Sequence, residues 1–315
     1  MTPVAGRIGV LVMAYGTPAS PSQVEAFYTD VRRGRPPSAE QLADLVRRYD
    51  AIGGTSPLSR RTAEQVAGIQ GQLELRFPGR FLCVLGNKHS EPRLEDAVEE
   101  LAAEQVSRLV GLVLAPHYSQ GSVGEYLARA NQQAGDLGMS AAFVEHWHDN
   151  PVLIELLAER VGRALESLGP SGELARANGQ LLLLVTAHSL PIRVVADGDP
   201  YVDQIRRTGE LVASATRLDR WEVGWQSAGR TPEPWLGPDI LERLRSLPGE
   251  DVRAVVVCPA GFTSDHLEVL YDLDIDARRV ADEVGMAFAR TASLNAEPRM
   301  CAALADLVIC GAEKL

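Results

Sequence analysis

Apolar runs that stop at a sharp break recur along this chain, and they constrain its fold more than any other feature. The clearest is Leu181–Pro191, LLLLVTAHSLP, where four leucines and a valine run into His188 and then a Ser-Leu-Pro break. A run without polar alternation is a strand covered on both faces, as in a parallel sheet. Comparable runs predict strands at Ile8–Met13, Phe81–Leu85, Leu109–Leu114, Ala142–Glu145, Leu181–Thr186, Arg220–Gly224 and Val252–Cys258. Helical periodicity fills the intervals at Pro21–Val31, Ala39–Tyr49, Leu58–Phe77, Arg93–Glu104, Val123–Gly138, Pro151–Ser167, Tyr201–Thr216 and Pro238–Leu247, with Ile275–Val284 and Pro298–Cys310 closing the chain. Proline or a small polar residue opens several of them. Regular alternation of strand and helix predicts an α/β fold.

Two halves of the chain look alike. GVLVMAYGTP opens the first as LLLLVTAHSLP opens the second, and RLVGLVLAPHYS and VRAVVVCPAGFTS both run from strand into a proline turn. The expected architecture is therefore two similar Rossmann-like lobes, each a parallel sheet flanked by helices, with a cleft between them. The segment GPSGELARANGQ, residues 169–180, supplies the boundary through its Gly, Pro and polar content, dividing the chain into 1–168 and 169–315. The last helix is expected to pack back on the first lobe. Ligands in such folds bind outside the carboxyl ends of the strands or between lobes, which places Tyr15 and His188 at equivalent positions on one site.

Composition removes several function classes. A net charge of −11 argues against nucleic acid as the main partner, because phosphate binding wants a basic face. No apolar run approaches the ~20 residues needed to span a bilayer. The N-terminus, MTPVAGRIGVLVMAYG, lacks a positive region ahead of a long apolar stretch, so no signal peptide is expected and the expected compartment is the cytoplasm. Cys83, Cys258, Cys301 and Cys310 form no C-x-x-C pair and read as small buried hydrophobes.

The candidate chemistry lies at strand ends. His188 stands where a buried strand opens into a loop. In CPAGFTSDHLEVLYDLDID, Glu268, Asp272 and Asp276 recur at helical spacing, forming one ladder if the segment is helical. Leu267, Val269, Leu270, Tyr271 and Leu273 surround them, so that helix is largely buried and its carboxylates must be paired, protonated or metal-bound. His266, two residues from Glu268, is assigned to a different helix face and is not expected to join it. A second group is basic: Arg32, Arg33 and Arg35 in VRRGRPP, then Arg47 and Arg48 before Tyr49. These five suit an anionic ligand, and the loop Gly53–Pro57, with Ser56, leads into an anion-friendly helix terminus. Neither a G-x-G-x-x-G nor a Walker motif is present, so nucleotide phosphate is not the expected anion. Lys88, His89, Trp225 and Trp235 follow other strand ends as cleft walls.

The ordered motifs VMAYGTP, VRRGRPP, RRYDAIGGTSPL, KHSEP, APHYS, TAHSLP, GDPYVDQ, VGWQSAGRTPEPWLGPD and GFTSDHLEVLYDLD resemble those of the ferrochelatases, in the bacterial branch acting on coproporphyrin. The resemblance implies insertion of Fe2+ into coproporphyrin III with release of two protons, giving coproheme in haem biosynthesis. It implies that His188 and Glu268 bind the metal and take up protons, that Asp272 and Asp276 extend an acidic path, and that Tyr15 faces the metal from the opposite side of the macrocycle. Arg32, Arg48, Tyr49, Ser56 and Tyr126 match positions that hold the porphyrin. Fe2+ is then a substrate, no prosthetic group is expected, and a transient partner receiving coproheme is an open expectation. Some relatives carry an iron–sulfur cluster on one internal and three C-terminal cysteines. Here the internal cysteine is lacking in APHYSQGS and only Cys301 and Cys310 stand near the C-terminus, so no cluster is expected. The alternatives are a protoporphyrin IX ferrochelatase, a chelatase for another metal such as cobalt, and a porphyrin carrier without chemistry.

Overall fold

A computed structural model describes residues 6–196, 198–229 and 231–315; the first five residues of the segment read as lacking a signal peptide lie outside it. In chain order the first half contains β1 (Ile8–Ala14), a 3₁₀ turn (Pro21–Gln23), α1 (Val24–Val31), α2 (Ala39–Ala51), α3 (Leu58–Arg76), β2 (Phe81–Asn87), α4 (Leu94–Ala103), β3 (Arg108–Val113), α5 (Val123–Asp136), β4 (Ser140–Val144) and α6 (Pro151–Ser167). The second contains α7 (Gly169–Ala177), β5 (Leu181–His188), α8 (Ile192–Ala196), α9 (Tyr201–Thr216), β6 (Trp221–Gln226), α10 (Ile240–Ser246), a 3₁₀ turn (Leu247–Glu250) and β7 (Ala254–Cys258). A π-helix (Val269–Ala277), α11 (Arg278–Glu283), β8 (Ala287–Arg290) and α12 (Pro298–Ala312) complete it.

The strands form two parallel four-stranded sheets with the same order, β2-β1-β3-β4 and β6-β5-β7-β8. In the first, Leu11 pairs with Val84 on one side and Gly111 on the other; in the second, Leu183 pairs with Trp221 and Val256. The internal duplication suggested by the two strand openings is therefore present in the topology, with β1 and β5 central and equivalent. Every residue of β1 and the first seven of β5 are buried, which is why both read as uninterrupted apolar runs. His188 is the last residue of β5 and the first to leave the core.

Four segments differ from the sequence reading, one of them the short helix α8, which has no counterpart in it. Residues 169–177, read as a boundary loop, form the helix α7, because a proline near its start supplies the φ that a first helical turn requires. Strand β8, AFAR, was not anticipated: four residues ending in arginine carry too little periodicity to register. Residues 269–277 are helical, starting before the expected Ile275, and wind as a π-helix with i→i+5 bonding.

Helices cross between the halves. The closing helix α12 lies against α3, β3 and β4, while α6 packs on α9, β7 and β8. Ile8 and Val10 of β1, Leu153 and Leu157 of α6, Leu183 of β5 and Leu304 of α12 share one continuous core. A smaller apolar contact closes the other side: Val24 and Tyr49 meet Leu267 and Tyr271, joining α1 and α2 to the π-helix. Packing in the first sheet is tight enough to test. A Cβ on Gly111 would stand 2.4 Å from Phe143 Cδ1 and 3.0 Å from Met13 Cε. Gly111→Ala is expected to cost about 1–3 kcal/mol through overpacking, lowering the urea midpoint at constant m. An unmoved midpoint would show that this layer has slack.

Candidate active site

The site gathers at the carboxyl ends of the central strands. His188 is held at the rim of β5 by Nδ1 against the Ser189 carbonyl at 2.5 Å, which leaves Nε2 to face the cleft. Tyr201 at the start of α9 donates its hydroxyl to the His188 carbonyl at 3.1 Å, and the Trp235 ring stands 6.4 Å from the imidazole. From the next strand, Gln226 accepts the Thr186 hydroxyl at 2.9 Å and donates to the Glu268 carbonyl at 3.4 Å, tying β5 and β6 to the start of the acidic helix.

Glu268 lies between two imidazoles. Its Oε1 is 3.5 Å from His188 Nε2 and its Oε2 is 3.6 Å from His266 Nε2. His266 is thus part of the site, contrary to its assignment to another helix face. It precedes the first helical residue, and its Nδ1 lies 2.9 Å from the Ser264 carbonyl, so helical-wheel geometry does not apply to it. Asp272 follows in the π-helix, buried, taking the Ser227 hydroxyl on Oδ2. Its Oδ1 has no hydrogen-bond partner among the described residues; Arg48 Nη1 is 3.5 Å away. Asp276 continues the acidic series but is engaged by Arg279 at 3.3 Å, and Asp274 is clamped by Arg290 at 2.6 and 2.7 Å.

Charge in this group is strongly coupled. Desolvation pulls the His188 pKa down, but the Glu268 charge and hydrogen bond, with the Ser189 carbonyl and Asp272, outweigh it and hold the value at about 9. Desolvation pushes Glu268 up, yet His188 and His266 hold it well below the usual carboxylate range. The pair rests as imidazolium and carboxylate. Asp272 moves the other way: desolvation lifts it to about 6, opposed by Arg48 and assisted by Glu268. One cleft therefore holds an ionised carboxylate, a charged imidazole and a carboxyl poised near neutrality, a set able to bind a divalent ion and exchange protons.

The first half supplies the facing wall. Tyr15 follows β1 as His188 ends β5; it is 45 % exposed, with His89 and Phe27 rings at 4.7 and 6.3 Å. Desolvation and then the charge of Glu268 keep its hydroxyl protonated, with smaller contributions from Tyr49, Asp30 and Glu125. Tyr49 is buried, 3.4 Å from the Thr17 hydroxyl, and desolvation pushes its pKa up to about 12, against the Thr17 hydrogen bond and with help from Glu268. Arg48 stacks on the Tyr271 ring at 4.8 Å, and this links α2 to the π-helix. Ser56 is buried and accepts the Leu58 N–H at 3.2 Å, closing the first turn of α3.

The basic cluster is not an open pocket. Arg33 pairs with Glu125 at 3.0 Å, Arg47 with Asp44, and Arg48 with Asp272; Arg32 turns its Nε to the Arg35 carbonyl at 3.2 Å. Tyr126 is buried beneath Lys88, whose Nζ is 5.1 Å from the ring centre and 2.6 Å from Glu125. Of the suggested cleft walls, Trp235 lies near His188, whereas Trp225 is core, packed at 6.1 Å on Tyr201 with Ala187 and Ile205. Gln226 and Ser227 were missed, although in WQSAG they are the last residue of β6 and the first beyond it, where polar residues at the end of a buried strand mark a site.

A family model described as Ferrochelatase matches residues 7–311. The coproporphyrin III ferrochelatase of Anoxybacillus flavithermus is 44% identical over 305 residues, covering 96% of this chain and 95% of its own. That of Bacillus subtilis is 42% identical over 306 residues, covering 96% and 97%. Among solved structures, the sirohydrochlorin chelatase SirB from Bacillus subtilis subspecies spizizenii, in complex with cobalt, superposes with a TM-score of 0.54 at 12% identity, covering 98% of this chain and 96% of that one; it shares the fold. Two duplicated lobes with an imidazole–carboxylate cluster at their strand ends, and a match spanning both lobes, make this chain a member of the ferrochelatase family.

Proposed function

We propose that this protein is a lyase of haem biosynthesis that inserts Fe2+ into coproporphyrin III, giving coproheme and releasing two protons. The observation that carries it is the Glu268 carboxylate held at 3.5 and 3.6 Å from His188 and His266, in a cleft faced by Tyr15. The ionised Glu268 carboxylate suits an incoming ferrous ion and accepts protons; His188 rests as imidazolium and gives up its Nε2 proton before it ligates the ion, after which it too accepts one. Insertion needs both properties: the ion exchanges water for pyrrole nitrogens while two N–H protons leave. Tyr15, a neutral phenol on the opposite wall, suits contact with the metal once it is in the ring. The relatives named above carry coproporphyrin III in their names, and the polar lip agrees with it: Arg33 and Arg35 are exposed on the segment 18–37 that follows Tyr15. An enzyme drawing an apolar porphyrin from a bilayer would want an apolar lip there.

Arg35, and Arg33 once it exchanges Glu125 for the substrate, favour four propionates over two. Two additional arginine–carboxylate contacts at ~0.2–1 kcal/mol each, more where partly buried, shift preference by roughly tenfold, since ~1.4 kcal/mol is a decade. Anaerobic insertion of Fe2+ into each porphyrin in detergent-free buffer is expected to give a higher kcat/KM for coproporphyrin III. A higher value for protoporphyrin IX would reassign the substrate. Because ligand order alone favours Co2+ over Fe2+, the same assay with both ions present tests the choice of metal.

The reaction is placed in the cytoplasm, with coproheme passing to a protein acceptor. Among the described residues no helix is long and apolar enough to cross a membrane. No resident prosthetic group is assigned. Of the four cysteines read as small buried hydrophobes, Cys258 and Cys301 are buried, Cys83 is partly buried and Cys310 is exposed.

A further inference from the structure

A second group of metal-ligating side chains lies outside the cleft, on the turn between β4 and α6. Ligand atoms of His146, His148 and Asp149 lie within 4.8 Å of one another. We propose that these three side chains bind a borderline divalent transition-metal ion, of the Zn2+, Co2+ or Fe2+ class, at a site separate from His188 and Glu268. The rings of His117 and Tyr201 stand between the two groups: His148 to His117 is 6.0 Å, His117 to Tyr201 is 6.3 Å, and Tyr201 reaches only the backbone of His188.

The turn is built to hold its shape. The Trp147 N–H donates to the Pro116 carbonyl at 2.9 Å and its indole N–H to the Val113 carbonyl at 3.1 Å. The Thr208 hydroxyl donates to the His148 carbonyl at 2.8 Å, and Asn150 caps α6 by accepting the Val152 and Leu153 N–H groups at 3.0 and 3.4 Å. Backbone pinned on both sides presents the ligands without an ordering cost. His148 is 8% exposed, yet among the described residues its Nδ1 has no hydrogen-bond partner, an arrangement that native interiors rarely tolerate without a use. His146 and Asp149 are exposed, which gives an ion a path in from solvent. Two imidazoles and a carboxylate select borderline transition metals over Mg2+ and Ca2+, which take oxygen ligands, and three protein ligands leave a position for water. A bound ion ties β4 to α6, and binding to the native state alone raises the unfolding temperature.

The test uses the untagged full chain and Co2+, whose visible absorption reports nitrogen and oxygen coordination. In a His188→Ala/Glu268→Gln background, which weakens the cleft as a metal site, a stoichiometric Co2+ site is expected to remain. His146→Ala or Asp149→Asn, both at exposed positions, should weaken it at least about tenfold, since losing even an outer-shell partner costs about 10–100-fold. On the parental background, His146→Ala should bind one Co2+ equivalent fewer than the parent and keep parental insertion turnover at saturating Fe2+. The proposal is overturned if the cleft-disabled chain binds no Co2+, or if His146→Ala and Asp149→Asn leave both affinity and stoichiometry unchanged. Failure of the cleft variants to lose insertion would count against the assignment of the cleft alone.

Discussion

His188→Ala and Glu268→Gln are each expected to lower anaerobic Fe2+ insertion by about 10²–10⁴-fold, the span typical of a lost general acid–base group, while porphyrin binding persists. His188 is the only β5 residue that leaves the core, and its Nδ1 is committed to the Ser189 carbonyl, so Nε2 is its working atom. Glu268→Gln keeps the shape and removes the charge that lies 3.5 Å from that atom. Without it the main force holding the His188 pKa near 9 is gone, and the two groups lose their coupled protonation. Single-turnover insertion and fluorescence titration of the porphyrin separate the two effects. A carrier would keep its porphyrin affinity and show no turnover to lose. Near-parental turnover in both variants would move the reacting centre elsewhere.

How much of this was legible before the structure depends on how far apart the interacting residues are. β1 and β5 were readable because burial on both faces is written as an unbroken apolar run, and their likeness pointed to two similar lobes, whose common strand order only the structure gives. Where local chemistry carried two meanings the reading failed: Gly169 and Pro170 suit a loop and equally the start of α7. His266 was excluded by treating it as a helical residue, when it sits in the turn before the helix, where no fixed angle relates it to Glu268. The arginines were legible as a basic group but not as ion pairs. Their partners come from elsewhere in the chain: Glu125 is 92 positions from Arg33, and Asp272 belongs to the other half from Arg48. Only tertiary contact between α2 and the π-helix turns those residues into one wall of the cleft.

Asp272 is expected to weaken the fold as pH rises, and Asp272→Asn to remove that weakness. The carboxyl is raised from its ordinary 3.8 to about 6, because burial in the cleft outweighs the attraction of Arg48 and Glu268 adds to the rise. Between those two values the native state binds more protons than the unfolded chain, so stability falls with increasing pH. The deficit is absent below 3.8 and complete above about 6, reaching about 3 kcal/mol at about 1.4 kcal/mol per pKa unit. Urea unfolding of the parent and of Asp272→Asn, measured in parallel from about pH 4 to pH 7.5, isolates this contribution, since other titrating groups are common to both. The difference in unfolding free energy should shift in favour of Asp272→Asn by about 3 kcal/mol across the range. A constant difference would mean that Asp272 titrates as an ordinary surface carboxylate. The Ser227 hydroxyl can still donate to the asparagine oxygen, so the substitution removes charge with little change of shape. Insertion by Asp272→Asn should nevertheless fall, because an amide cannot take up or release the protons displaced from the macrocycle. A buried acid whose Oδ1 has no hydrogen-bond partner among the described residues, held beside Glu268 and near neutrality against the interest of the fold, is what a proton-exchanging role in the cleft would require.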